Sequence, residues 1–218
     1  MGILKEKRVS IISPKLIAIL SQKGGGGKST LARALATELT KQKQNALLVD
    51  LDIQQKTSWE WSERRKRKAI KPLINCQVFP YFPSELLRAN YDYLIIDAPA
   101  RISKESLAIA EQANLIIQPV RPSLDDLNPA IREFNSFFQV GIKKEKLAFV
   151  LNAVGSPAME KTTRDYLAQA KYYIFPIALE EKVSYQEAQN QGLSIGEVKY
   201  PRLRKQVKKL IKEILNRC

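Results

Sequence analysis

Leu16-Ile17-Ala18-Ile19-Leu20-Ser21-Gln22-Lys23-Gly24-Gly25-Gly26-Gly27-Lys28-Ser29-Thr30 runs from an apolar strand-like segment into a basic loop of four glycines. Without Cβ atoms, successive backbone N–H groups are free to curl around an anion. Lys28 adds a point charge. Ser29 adds a hydroxyl at the start of a helix, whose dipole also favours phosphate. The segment reads as a phosphate-cradling loop with a hydroxyl placed for Mg²⁺. A glycine-rich hairpin or linker is the plainer alternative; the strand before the loop and the helix after it argue against that.

The general phosphate-loop pattern G-x-x-x-x-G-K-[ST] fails here, because its first position falls on Gln22. The sequence instead fits the narrower K-G-G-x-G-K-[ST], with a second lysine, Lys23, at the loop entrance.

Working outward, strand-like runs at 16–20, 46–50, 73–79, 93–97, 115–120, 147–151 and 173–177 alternate with helical patterns at 29–43, 58–69, 84–89, 103–112, 124–140 and 159–171. Several strand runs are continuously apolar, as expected for strands covered on both faces. The alternation predicts an α/β fold with a mostly parallel sheet and helices on both faces. In such sheets ligands bind beyond the carboxyl ends of the strands, where the glycine loop falls. Residues 1–15 read as a short basic extension and 16–218 as one domain, with no repeat or linker to divide it. The last segment, 201–218, opens on proline and reads as an amphipathic helix, with Leu203, Val207, Leu210, Ile211, Ile214 and Leu215 on one face.

Composition narrows the chemistry. The 218-residue chain is long enough to bury a core without disulfide or metal staples. Cys76 and Cys218 form no C-x-x-C, which disfavours a cysteine zinc site, a cluster held by one chain, or a redox dithiol. Histidine is absent, which excludes imidazole catalysis and His-ligated metal. No apolar run reaches a membrane span and no signal-peptide core is visible, so the expectation is a cytoplasmic protein. The formal charge of +14 favours a polyanionic partner, although a merely basic enzyme would look the same.

A phosphate loop needs acidic partners. Val49-Asp50-Leu51-Asp52 closes the second strand run and Leu94-Ile95-Ile96-Asp97 the fourth. Strand alternation sends Asp50 and Asp52 to one side. A carboxylate there can hold a metal-bound water or orient an attacking one, while an apolar strand ending in Asp97 fits support of a Mg²⁺ shell. Asp52 also reads as a plain turn or N-cap residue.

These motifs together resemble the deviant-Walker ATPases of the ParA/MinD superfamily, most nearly the small ParA type that partitions plasmids and chromosomes. The resemblance covers nearly all of 16–200 and includes Ile95-Ile96-Asp97-Ala98-Pro99, Pro119-Val120-Arg121-Pro122-Ser123, Phe149-Val150-Leu151-Asn152 and Val183-Ser184-Tyr185-Gln186-Glu187-Ala188. It implies ATP and Mg²⁺ as cofactors. Gly24, Gly25, Gly26, Gly27, Lys28, Ser29 and Thr30 would hold the phosphates. Ser29 would bind the metal, supported through water by Asp50 and Asp97. Asp52 would position the hydrolytic water. Lys23 would reach across an ATP-bound homodimer to the partner's phosphates. Asn152 would read adenine, or be an ordinary turn residue. The sequence departs from the family where Ile53 stands for a common proline, at Ala100, and at Lys182 where small relatives often carry arginine.

Clustered cations suggest the cargo. Arg64, Arg65 and Arg67 belong to a run of five cations, and Arg202, Arg204, Lys205, Lys208 and Lys209 line the terminal helix. Phosphate-backbone binding needs only such clusters; a solvated helix face is the plainer reading of 64–68. The resemblance implies a weak ATPase whose dimer binds double-stranded DNA non-specifically, associates with the nucleoid, and is stimulated by a centromere-binding adaptor of ParB/ParG type. A MinD-like membrane-associated positioning ATPase is the alternative, since a basic amphipathic terminal helix also suits a membrane surface. Its purely aliphatic stripe, with no Trp or Phe, disfavours that reading. A metabolic phosphate-loop enzyme is a third class, and missing cluster cysteines disfavour a nitrogenase-reductase.

Overall fold

A computed structural model describes residues 13–100 and 104–218. Most of the expected N-terminal extension, residues 1–12, and residues 101–103 lie outside the described residues. Among the described residues seven strands are present: β1 Lys15–Ile19, β2 Ala46–Asp50, β3 Cys76–Val78, β4 Tyr93–Asp97, β5 Leu115–Val120, β6 Leu147–Leu151 and β7 Tyr173–Ile174. Seven α-helices accompany them: α1 Lys28–Lys41, α2 Thr57–Arg67, α3 Lys104–Gln112, α4 Leu124–Gln139, α5 Pro157–Ala168, α6 Val183–Asn190 and α7 Pro201–Arg217. The strands form one sheet in the order β3-β2-β4-β1-β5-β6-β7, with every pairing parallel.

Every residue of β2, β5 and β6 is buried, because helices cover both faces. Alternate residues of β1 feed two separate cores. Leu16 and Ala18 pack with α3, α4 and α5 through Ile109, Phe134, Phe137 and Leu167. Ile17 and Ile19 pack with α1, α6 and α7 through Leu35, Tyr185, Val207 and Ile211. The amphipathic stripe of α7 is therefore core: Leu203, Val207, Leu210, Ile211 and Ile214 are all buried.

The expected strand 73–79 shrinks to β3, an edge strand that pairs only with β2, and Leu73 is exposed. The helical pattern at 84–89 forms a 3₁₀ turn, Ser84–Arg88. Helix α5 begins two residues earlier than its apolar spacing suggests. Ser156 caps it by accepting the Met159 N–H, with Pro157 in the first turn. Helix α6 is an addition to the expected helices. No helix among the described residues is long and apolar enough to cross a membrane.

Candidate functional site

The glycine loop joins β1 to α1 at the carboxyl edge of the sheet, where β2 and β4 also end. Gly27 is the N-cap of α1 with φ +104°, a left-handed conformation that glycine adopts without strain. A Cβ on Gly27 would sit 2.2 Å from Asn152 Nδ2, so the loop also needs the missing side chain for space. Asn152 donates from Nδ2 to the Gly26 carbonyl at 2.8 Å and ties the loop to the end of β6. Lys28 Nζ folds back to donate to the Lys23 carbonyl at 3.0 Å. Burial lowers the pKa of that amine, while Asp97, Glu133 and Asp52 pull it the other way. The result is a desolvated cation beside the glycine loop, an arrangement complementary to phosphate.

The acidic wall is organised by the first turn of α2. Asp97 is buried and accepts the Ser58 hydroxyl at 2.6 Å. Burial raises its pKa against the hydrogen bonds from Ser58 and Ser29 and the charges of Arg33 and Lys28. Asp50, paired in register with Asp97 across β2 and β4, accepts the backbone N–H of Asp52 at 3.0 Å on one oxygen. Its other oxygen accepts the N–H groups of Ser58 at 2.9 Å and Trp59 at 3.1 Å. Burial and the neighbouring Asp97 push Asp50 up to about 6. Thr57 Oγ1 meets Ser29 Oγ at 3.1 Å. Opposite, Gln189 of α6 accepts from Thr30 Oγ1 at 3.2 Å and from Arg33 Nη1 at 3.0 Å, and Arg33 Nε donates to Ser58 Oγ at 3.2 Å. One hydrogen-bonded chain thus runs from Thr30 in the first turn of α1, through Gln189 of α6, Arg33 of α1 and Ser58 of α2, to the carboxylate of Asp97.

Between these walls lies a cavity of about 350 Å³, reached by Gly24, Gly25, Gly27, Lys28, Ser29 and Thr30 on the loop side, and by Asp52, Asp97 and Gln189 opposite. A family profile described as CobQ/CobB/MinD/ParA nucleotide binding domain matches residues 17–195. The chain belongs to that family. A curated relative, "Maintenance of carboxysome distribution protein A" of Gloeobacter kilaueensis, is 33% identical over 116 residues, a match spanning 52% of each sequence. The chain thus aligns with about half the length of that relative. Among solved structures, the MinD cell division protein of Aquifex aeolicus superposes with a TM-score of 0.72 at 19% identity, covering 93% of this chain and 97% of that one. A plasmid partition protein of Borrelia burgdorferi bound to AMPPNP, described as putative, gives 0.69 at 18%, covering 93% and 98%. At these identities the structural likeness speaks for the fold alone: this is a ParA/MinD-type phosphate-loop fold with a seven-stranded parallel sheet.

Against that family frame, the expected site residues divide. Gly24, Gly25, Gly27, Lys28, Ser29, Thr30, Asp52 and Asp97 line the cavity together, whereas Gly26 is buried behind it. Asp52 does so while its Oδ1 accepts the N–H groups of Gln54 and Gln55, so the turn role is also realised. Lys23 is partly exposed at the entrance, with Nζ 3.9 Å from Asp126. Two expected residues lie off this cavity. Asn152 donates its Nδ2 to the loop backbone at Gly26. Asp50 does not line the cavity either: one oxygen accepts the Asp52 N–H just after β2 and the other the N–H groups of Ser58 and Trp59 in the first turn of α2. Of the residues expected to support a metal, Ser29 and Asp97 do line the cavity, and their hydroxyl and carboxylate oxygens are of the hard type that suits Mg²⁺. The loop amides and Lys28 suit the phosphates that would accompany it.

Within the cation run, one residue is corrected. Arg65 is 0% exposed and spends its guanidinium indoors. It forms a two-pronged ion pair with Glu197 at 2.7 and 2.9 Å and donates to the carbonyls of Pro72, Lys71 and Gly192. A DNA contact through Arg65 is excluded by that burial. Arg64 donates to the Gln189 carbonyl at 3.3 Å, and Lys68 reaches Gln191. Arg67 is exposed. On α7, Lys205, Lys208 and Lys209 point outward, and together with Arg204 and Lys212 they border one shallow groove. Arg202 is turned aside by a bidentate pair with Glu180.

Arg33, Gln189, Ser58 and Glu133 escaped the sequence reading. Glu133 alone left a visible signal: an acid on the buried face of α4, between Ala130 and Phe137.

Proposed function

We propose that this chain is an ATP-dependent partition ATPase that works on non-specific double-stranded DNA. It is a single phosphate-loop domain over 16–218 whose terminal helix carries the DNA-facing cations. ATP with Mg²⁺ occupies the cavity, and two protomers close face to face, each lending Lys23 to the other's nucleotide. Bound Mg²⁺ would supply charge neutralisation on the phosphates. The chain's own residues do the rest. Lys28 and the loop amides bind and orient the phosphates. Asp52, at the cavity wall, holds the attacking water. Arg33 and Ser58 keep the Asp97 carboxylate aimed at Ser29. A centromere-binding adaptor of ParB/ParG type stimulates turnover, and the dimer sits on DNA in the cytoplasm.

The observation that carries the DNA reading is the division of α7. Its whole apolar stripe is consumed by the core, which leaves the Lys and Arg side outward. A helix that anchors to a membrane needs its apolar face free to enter the headgroup region. This disfavours α7 as the anchor of a MinD-like membrane reading. The relatives' names, which speak of carboxysome distribution and plasmid partition, support a partitioning role. Co-sedimentation with duplex DNA or with anionic vesicles, each with ATP, ADP or no nucleotide over a salt series, tests the proposal. ATP-dependent, salt-sensitive DNA binding without vesicle binding is expected. Vesicle binding alone, or turnover saturated without any macromolecule, would refute it.

A further inference from the structure

Beneath the phosphate loop lies a carboxylate with no role in the scheme above. Glu133 is 1% exposed, on the face of α4 that also buries Ala130, Phe134 and Phe137. Its Oε2 accepts the Gln22 N–H at 3.3 Å, immediately before Lys23 at the loop entrance. The same oxygen accepts the Gln118 side-chain amide from β5. The carbonyl oxygen of that Gln118 amide is itself buried without a partner. Lys28 is the charged group that faces Glu133 from α1; Asp97 faces Lys28 from β4. On α4 itself, Arg132 is exposed and Asp126 lies beside Lys23 at the entrance. A carboxylate at a position that packing would give to an apolar residue is costly unless it acts on its neighbours.

We propose that Glu133 is a positioning residue of the phosphate loop: held by the Gln118 amide, it fixes the entrance through the Gln22 amide and, together with Asp97, offsets the charge of Lys28 until a nucleotide phosphate takes over that part. This rests on the nucleotide reading of the cavity. A phosphate that draws on the charge of Lys28 leaves a second negative group below it uncompensated, so the nucleotide-bound state favours Glu133 with a proton. Burial already pushes this carboxyl up to about 7, against the pull of the Gln22 N–H, the Gln118 amide and Lys28. Nucleotide binding weakens the Lys28 part of that pull and raises the proton affinity further. By linkage, affinity for nucleotide falls as pH rises through about 7.

The test is the ADP dissociation constant of the full chain from pH 6 to 8.5, without divalent metal, for wild type, Glu133→Gln and Gln118→Leu. Titration of the ligand's own phosphate is common to all three and cancels in the ratios. Relative to Glu133→Gln, the wild type should lose affinity by about three- to tenfold across that range. Gln118→Leu removes one donor to the carboxylate and so raises its proton affinity; the loss of ADP affinity should then begin at higher pH. This second variant keeps the test decisive if Glu133→Gln folds poorly. Superimposable profiles for wild type and Glu133→Gln would overturn the proposal, as would an unshifted profile for Gln118→Leu. Absence of ADP binding by every protein at every pH would instead overturn the nucleotide reading itself.

Discussion

Replacing Arg65 by methionine separates a structural cation from a DNA-binding one. The guanidinium is fully buried and makes two hydrogen bonds to Glu197 and three to backbone carbonyls. Methionine fills much of the same space and leaves Glu197 with Lys41 at 3.1 Å and the Ser194 N–H at 2.8 Å. Burial alone would raise the pKa of Glu197, yet Arg65, Ser194 and Lys41 hold it at about 2, against 4.5 for the free group. At full weight that shift corresponds to about 3 kcal/mol, which residual solvent screening trims to about 2 kcal/mol. Loss of one partner from a buried pair costs about 3–5 kcal/mol in general, and the surviving Lys41 places this case near the lower bound. About 2–3 kcal/mol should lower the melting temperature by roughly 4–12 °C for a chain of this size. The sign with pH follows from the depressed pKa: the stabilisation is present above about 4.5 and is lost as pH falls toward 2. The gap between wild type and Arg65→Met should therefore narrow on acidification, as seen by thermal melts between pH 7 and pH 3. DNA affinity at temperatures below both melts should stay within twofold. An unchanged melting temperature together with a severalfold loss of DNA binding would refute the assignment and return Arg65 to the surface.

Gly27→Ala forces a Cβ to within 2.2 Å of Asn152 Nδ2 at a φ of +104°; we expect nucleotide binding to be lost in a titration while stability falls by only about 1–3 kcal/mol in a denaturant melt, the usual cost of local backbone strain. Charge reversal at Lys208 and Lys209 should weaken DNA binding uniformly across sequences and reduce the slope of log affinity against log salt by about one unit for each phosphate no longer neutralised, with melting unchanged because both side chains point outward. Lys23→Ala should bind nucleotide as a monomer yet fail to dimerise with ATP in analytical ultracentrifugation; an ATP dimer of normal stability would remove the trans role.

How much of this was legible before folding depends on the kind of information each feature needs. Continuous apolar runs and intervening helical spacing reveal a parallel sheet, because backbone hydrogen bonding and two-sided burial act locally on every strand. The loop at 23–30 is legible for the same reason: its function lies in consecutive amides. Caps such as Ser156-Pro157 were also present in the letters. Helix α6 was harder, since only Tyr185 and Ala188 are buried along it and its period is faint.

Other properties belong to the folded molecule. Arg64 and Arg65 are neighbours in one basic run, but helical geometry turns Arg65 onto Glu197, 132 residues away, while Arg67 faces water. Asp50 and Asp97 look equivalent as acids ending apolar strands; the N-terminus of α2 settles on Asp50 and leaves Asp97 at the cavity. Asn152 sits at a strand end like any turn residue until Gly26 comes within its reach. Sequence by itself determined the order of elements and the place of the phosphate loop, because those follow from covalent neighbours. Only tertiary packing decided which charges face inward, since a charge is neutralised by whatever distant chain the fold brings against it.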